Sequence, residues 1–327
     1  MLSNELIVGD TMLKKLFFIV LSINSLLLAE EPNVAMFQPL PTSAENPANP
    51  SNPSKIELGK KLFFETKLST ANDLSCNSCH QLDQYGVDGK QFSSGHLKQL
   101  GDRNSPTVYN AALEFTQFWD GRAKDVEEQA LGPMMNPKEM AMASKEEVQA
   151  RLVADPAYVK LFTEAFPGEK QAVNFKNIGK AIGAFERTLL LPSRFDEYLK
   201  GKKDALSDSE KKGLTTFVNV GCIACHNGAT VGGQMFQKLG LVIPYVAVSK
   251  TDLGRANVTG LKSDELVFKV PSLRNVEKTA PYFHDGHVKT MEAAVLIMAR
   301  HQLGKDLSKQ EVADIVVFLR SLTGKIN

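Results

Sequence analysis

Apolar residues return at helical spacing through most of this chain, and they do so twice in the same order. In "SKIELGKKLFF" and "LSDSEKKGLTTF" a glycine stands four residues before a phenylalanine, Gly59 before Phe63 and Gly213 before Phe217. That spacing puts each pair on one helical face. Ser207 and Glu210 have the spacing of a capping box at the start of the second of these helices. Each half then closes on an amphipathic helix. "FKNIGKAIGAFERTLL" aligns Ile178, Ile182, Phe185 and Leu189; "SKQEVADIVVFLRSL", opened by Ser308-x-x-Glu311, aligns Val312, Ile315, Val316 and Leu319. Such stripes ordinarily mean core packing, and a glycine facing a closing helix lets the two cross closely. Strand signals are sparse. The pattern predicts a mainly α protein of two similar halves, residues 55–195 and 196–327, divided near "LPSRFDEYLKGKKD".

Each half carries one unusual cluster. "LSCNSCHQ" and "VGCIACHNG" hold all four cysteines of the chain, Cys76, Cys79, Cys222 and Cys225, each pair followed at once by a histidine, His80 or His226. Disulfides would use the cysteines and leave the histidines without a role. Structural zinc sites usually separate their ligands by two residues or more, whereas Cys79 and His80 are adjacent. A thioredoxin-like redox motif needs a βαβ context that the pattern lacks. Covalent c-type haem attachment accounts for every position: the thiols add to the two vinyl groups, and the neighbouring imidazole reaches the iron. The expected fold is therefore two cytochrome c-like domains, each with one covalently bound haem. The other ligand of the second haem is open at this point among Met235, Met291, Met298, His284, His287 and His301.

Haem is attached to such motifs outside the cytoplasm, and the N-terminus offers an export signal over residues 1–29. Met12 is followed by Lys14, Lys15 and an apolar run from Leu16 to Leu28. That run falls short of the roughly 20 residues of a spanning helix and suits a signal-peptide core. Leu27 is bulky for its place beside a cleavage after Ala29, so an uncleaved anchor is the alternative. The acidic "MLSNELIVGD" ahead of Met12 fits neither and is consistent with a start codon placed too early. Residues 30–54, rich in Pro, Asn and Ser, read as a flexible linker. A formal net charge of +1 gives no case for nucleic-acid binding. The expected location is the periplasm.

From about Leu58 to the C-terminus the chain resembles the bacterial di-haem cytochrome c peroxidases. The resemblance rests on "ELGKKLFFETKLS", "SCNSCH", "SSGHLKQLGDRNSPTVYNAAL", "QFWDGRAKDVEEQALGPMMNPKEMAM", "GAFERTL", "GCIACHNG", "VPSLRNV", "TAPYFHDG" and "MARHQLG", in that order. It implies reduction of hydrogen peroxide with electrons from a small cytochrome c or cupredoxin, a bound calcium and a homodimer. By the same resemblance His80 is the proximal ligand of a peroxidatic haem and His96 its removable distal ligand. Gln129 and Glu139 are implied as the polar residues of the peroxide pocket, with Trp119 between the haems. Asn104, Thr279 and Pro281 match calcium-binding positions, the last two through backbone carbonyls. Met298 is implied as the partner of His226 on the second iron. Relatives that modify a protein tryptophan have tyrosine at that place, so methionine argues against their activity.

Read from the residues alone, His96 is as readily a surface histidine and Glu139 a solvated helix start. His284, His287 and His301 are expected to be structural, with His284 a candidate neighbour of a propionate. Arg103, Arg122, Arg255 and Arg274 are candidate propionate partners or surface groups. The rival function is a non-catalytic di-haem electron-transfer protein. The two motifs carry a direct expectation: denatured mature protein retains two covalent haems by intact mass. One haem, or haem extractable with acid acetone, would overturn the reading.

Overall fold

The computed structural model of the chain describes residues 32–246 and 251–326. The expected signal segment lies outside them. Strand among the described residues is confined to one antiparallel pair, Phe236–Lys238 with Val267–Lys269, in the register Phe236 to Lys269. The rest of the regular structure is helical, and no described helix is long and apolar enough to cross a membrane.

Two helix crossings organise the described residues. The helix Pro53–Phe63 begins where Asn52 accepts a hydrogen bond from the Lys55 amide, with proline in the first turn where no backbone N–H is needed. It crosses the helix Phe175–Glu186, which is capped by Asn174. At the crossing, a Cβ on Gly59 would lie 1.8 Å from the carbonyl oxygen of Ala181. The second half repeats the arrangement. The helix Asp208–Val220 opens with the Ser207/Glu210 capping box and crosses Lys309–Arg320, opened by the Ser308/Glu311 box. A Cβ on Gly213 would lie 2.0 Å from the carbonyl oxygen of Asp314. Around the first crossing Leu58, Leu62, Phe162, Ile178 and Ile182 are fully buried. Around the second, Leu214, Phe217, Ile315 and Phe318 do the same.

The first closing helix is one turn shorter than its apolar stripe predicts. It ends at Glu186, and Leu189 packs half-buried beyond it, because Thr188 and Leu189 turn back to bond the Phe185 and Glu186 carbonyls. The expected loose linker is a larger correction. Phe37, Leu40, Ala44 and Asn49 are buried. The Phe37 ring meets Phe195 edge-on at 5.3 Å, and the Leu40 amide donates to Asp196 at 2.7 Å. Asn46 and Asn49 both donate to Glu127 at 3.1 Å. Its composition means that the segment cannot build a core of its own. It lies instead on cores that other residues build, with its amides satisfied by their buried acceptors.

The crossings have a measurable consequence. Gly213→Ala forces a methyl group against a carbonyl oxygen that helix geometry holds in place. The expected loss is about 3 kcal/mol, at the upper end for overpacked cores, read as a lowered midpoint of chemical denaturation. Gly59→Ala should behave alike. Unchanged midpoints would mean that the helices are free to separate.

Candidate haem-binding and peroxide site

Both cysteine motifs are one tight turn. Cys76–Cys79 is a four-residue helix opened by Ser75, and the His80 amide closes it on the Cys76 carbonyl at 3.0 Å. In the second half Gly221, at φ 104°, stops the helix Asp208–Val220 in the left-handed region and turns the chain into Cys222–Ala224. The His226 amide again reaches the first cysteine's carbonyl, at 3.0 Å. None of the four sulfurs is paired. Burial pushes all four thiols up, Cys222 to about 11. Redox motifs work with depressed thiol pKa values, so these sites are ill-suited to disulfide exchange.

The two imidazoles are held by the same device. His80 Nδ1 lies 3.0 Å from the Pro106 carbonyl, and His226 Nδ1 lies 3.3 Å from the Val231 carbonyl. A carbonyl can only accept, so Nδ1 carries the proton and Nε2 keeps its lone pair, the state of a metal-ligating histidine. Burial lowers both pKa values, that of His226 to about 4, which keeps the rings neutral.

His226 opens on a largely apolar cavity of about 250 Å³, shared with Cys222, Cys225, Met298 and Trp119. Met298 arrives there on the helix Met291–Leu303. Of the other candidate ligands, Met291 and His284 also line the cavity, whereas Met235, His287 and His301 do not. His284 is buried, stacks on Phe268 at 4.2 Å, and leaves Nε2 without a hydrogen-bond partner. Two unpaired thiols, a neutral imidazole with a free nitrogen and a thioether around an apolar space fit a covalently attached haem.

Trp119 donates from Nε1 to the Asn104 carbonyl at 2.8 Å. Asn104, Thr279 and Pro281 line the same cavity. The Asn104 side-chain nitrogen is taken by the Lys90 and Gln91 carbonyls, and no described hydrogen bond reaches its Oδ1. Among the described residues no cluster of three His, Cys, Asp or Glu side chains could hold a metal. Amide and carbonyl oxygens are nevertheless donors that calcium accepts, so these three residues fit the ion by donor type.

The peroxide-pocket candidates are partly assembled. The backbone amide of His96 donates to the Glu139 carbonyl at 2.7 Å, so the His96 loop is docked on the segment that carries Glu139. Gly95 is required by that contact, since its Cβ would lie 2.0 Å from the Lys138 carbonyl oxygen. Its role is close approach. The strain lies next door, where Leu97 (φ 53°) and Lys98 (φ 60°) are left-handed without being glycine, and Leu97 is 78% exposed. Asn136 donates to Glu139 Oε1 at 2.8 Å. Burial pushes the Glu139 carboxyl up, with Arg122 and that hydrogen bond acting against it. Gln129 ends the one-turn helix Val126–Gln129, and no described hydrogen bond joins it to Glu139.

The arginines proposed for propionates all have protein partners. Arg103 forks onto Asp252 at 2.7 and 2.6 Å and reaches Asp120 at 2.7 Å. Arg122 bonds Asp120 and lies over Phe118 at 3.5 Å, and Arg255 lies over Phe236 at 4.1 Å. Arg274 is no surface group: it is fully buried and forks onto Asp196 at 2.6 and 2.9 Å. Sequence reasoning missed several acidic residues at these sites. Glu114 forms a buried ion pair with Lys269 on the cavity wall. Glu186 is buried and near enough to Cys76 to raise its thiol further, and its place four residues after Ile182, on the apolar stripe, was a legible signal.

Residues 53–204 match the family described as di-haem cytochrome c peroxidase. The chain is 48% identical over 277 residues to a cytochrome c551 peroxidase of Nitrosomonas europaea, covering 84% of this chain and 81% of that one. It is 48% identical over 295 residues to a cytochrome c551 peroxidase of Pseudomonas aeruginosa, covering 89% and 85%. Among solved structures it resembles a MauG-like protein associated with microbial copper homeostasis, with a TM-score of 0.78 and 29% identity over 88% of this chain and 94% of that one.

Glu186 supplies a pH test. Burial, with Glu127 adding to it, raises its pKa from an ordinary 4.5 to about 8. The unfolded chain loses this proton above its ordinary value while the folded chain keeps it. Stability therefore falls as pH rises between those two values, by at most about 1.4 kcal/mol per pH unit. Glu186→Gln should remove this slope, so it stabilises the protein at pH 7 and has little effect at pH 4. A gain equal at both values would show that the carboxyl is not held protonated.

Proposed function

The chain belongs to the di-haem cytochrome c peroxidase family, and we propose that it reduces hydrogen peroxide to water in the periplasm, as a homodimer in which each protomer carries two cytochrome c-like domains. The electrons come singly from a small cytochrome c or cupredoxin. The observation that carries the reading is an asymmetry between two otherwise alike imidazole sites. His226 faces a cavity that already contains a thioether, whereas the His96 loop is docked through its backbone on Glu139.

Two haems, held through Cys76/Cys79 and Cys222/Cys225, would supply the redox chemistry, peroxide reduction at one and electron storage at the other. His80 and His226 present Nε2 to the irons, each fixed through Nδ1 by a backbone carbonyl. Met298 would be the second ligand beside His226, and thioether ligation would raise the potential of the storing centre. His96 would be the removable ligand of the peroxidatic haem, on a loop that would release it by an order-disorder switch. The left-handed Leu97 and Lys98 fit a loop held under strain.

Gln129 then orients peroxide by hydrogen bonding. Glu139 takes a proton from the inner oxygen and returns it to the outer one, so that the O–O bond breaks with water as the leaving group. Its burial-raised pKa suits both directions of that transfer. Two electrons and two protons complete the second water. Trp119 lies on the path between the centres. Asn104, Thr279 and Pro281 would hold calcium, and the hydrogen bond from the indole to the Asn104 carbonyl joins those residues to Trp119.

Stopped-flow mixing of half-reduced protein with peroxide and a reduced cytochrome tests the activity. Failure to consume peroxide would leave the non-catalytic carrier. Two variants separate gate from chemistry. His96→Gly should give a high-spin peroxidatic centre in the fully oxidised protein that reacts with peroxide without prior reduction. Glu139→Gln should keep the gate and slow O–O cleavage by about 10²–10⁴-fold. A parent rate in Glu139→Gln would assign the proton to another group.

A further inference from the structure

The N-terminal segment Phe37–Asn49 touches both functional halves. Just before it, the Met36 carbonyl accepts from the Gly228 amide, two residues beyond His226, at 2.8 Å. Phe37 packs on Phe195, and the Leu40 amide is bound by Asp196, the partner of Arg274. At the other end the segment meets Glu127, which lies two residues before Gln129 on the same one-turn helix. A four-residue helix has no persistence of its own, since a single turn is the costly nucleus of a helix. Its orientation must come from what holds it.

Glu127 is that hold. Its buried carboxylate accepts Arg187 as a fork at 2.9 and 2.7 Å, and the Asn46 and Asn49 amides at 3.1 Å each. Burial alone would raise its pKa, but the Arg187 and Asn49 hydrogen bonds prevail and hold it below the usual carboxylate range. Arg187 in turn donates to the Ala44 carbonyl at 2.9 Å, and Asn49 to the Lys180 carbonyl at 2.9 Å. The Glu127 backbone rests on Gly179 and its side chain on Gly183, where a Cβ would come within 2.4 and 2.6 Å. Two glycines on the closing helix thus make the seat, and the strap supplies half of the donors that keep Glu127 in it.

We infer that the segment Phe37–Asn49 is a positioning strap for the peroxide pocket, acting through Glu127 on Gln129. The inference rests on the reading of Gln129 as the residue that orients peroxide. Asn46 and Asn49 touch no reacting atom; they are positioning residues, and their effect is confined to the pocket. The second haem's ligands stand on other elements, so its spectrum and potential are independent of the two asparagines.

The test is a cycle of Asn46→Ala/Asn49→Ala, Gln129→Ala and the combined variant, each as the full two-haem protein. The reaction of half-reduced enzyme with peroxide is followed by stopped flow. The asparagine pair should react about 10- to 100-fold more slowly, the scale of loss when an orienting group is misplaced. Its second-haem spectrum and potential should match the parent. The combined variant should be no slower than Gln129→Ala alone, because the strap acts through that residue. A lowered melting temperature with a parent peroxide rate overturns the strap and leaves Gln129 standing. Losses that multiply in the combined variant overturn it too. A parent rate in Gln129→Ala removes both the strap and the role of Gln129. If the double asparagine variant does not fold, Asn46→Ala alone is read by the same criteria.

Discussion

A glycine Cα pressed against a carbonyl oxygen of the crossing helix recurs in both halves, Gly59 on Ala181 and Gly213 on Asp314. These helices run 11 to 13 residues, lengths at which an isolated helix is marginal in water. Their persistence depends on the apolar faces that the close approach buries. The segments that leave each crossing inherit their placement from it. Val220 ends a crossing helix, and after Gly221 the second motif opens at Cys222. The first closing helix offers the glycine seat for Glu127 and ends at Glu186, near Cys76.

On this repeated frame the two sites are built alike and finished differently. Each imidazole is neutral through burial and oriented by a carbonyl at Nδ1. The second half brings a thioether on a regular, well-capped helix into the cavity. The first brings a histidine on a loop that contains two strained residues and leans on the backbone of Glu139. A rigid helix suits a permanent ligand, and a strained loop suits one that leaves. On the proposed assignment of Met298 and His96 as second ligands, the division of labour between an electron store and a reacting centre would follow from the type of element that delivers each.

Buried charge ties the pieces together. Arg274 with Asp196, Arg187 with Glu127, and Arg103 with Asp120 and Asp252 each join residues distant in sequence. Pairs of this kind add little net stability, but removing one partner leaves an uncompensated buried charge. They therefore act as registration points, and the N-terminal strap uses two of them.

Much of this was legible along the chain because its causes are local. Capping boxes at Ser207 and Ser308, the facing glycines and the two C-x-x-C-H motifs depend on spacings within one or two helical turns. Local chemistry repeats whenever local spacing repeats. The acid at Glu186 was equally visible, as a charge on an apolar stripe. Tertiary structure alone decided the rest. Composition marked residues 30–54 as unable to form a core, yet their partners Glu127 and Asp196 lie far along the chain. The four arginines looked interchangeable until Arg274 proved buried against Asp196, 78 residues away. Gly95 is needed where the His96 loop meets the Lys138 backbone, more than forty residues away. In each case the deciding term is the desolvation of a polar group or the exclusion of a Cβ by a distant backbone. Both are set by which segments meet in space, and a linear spacing contains no measure of that.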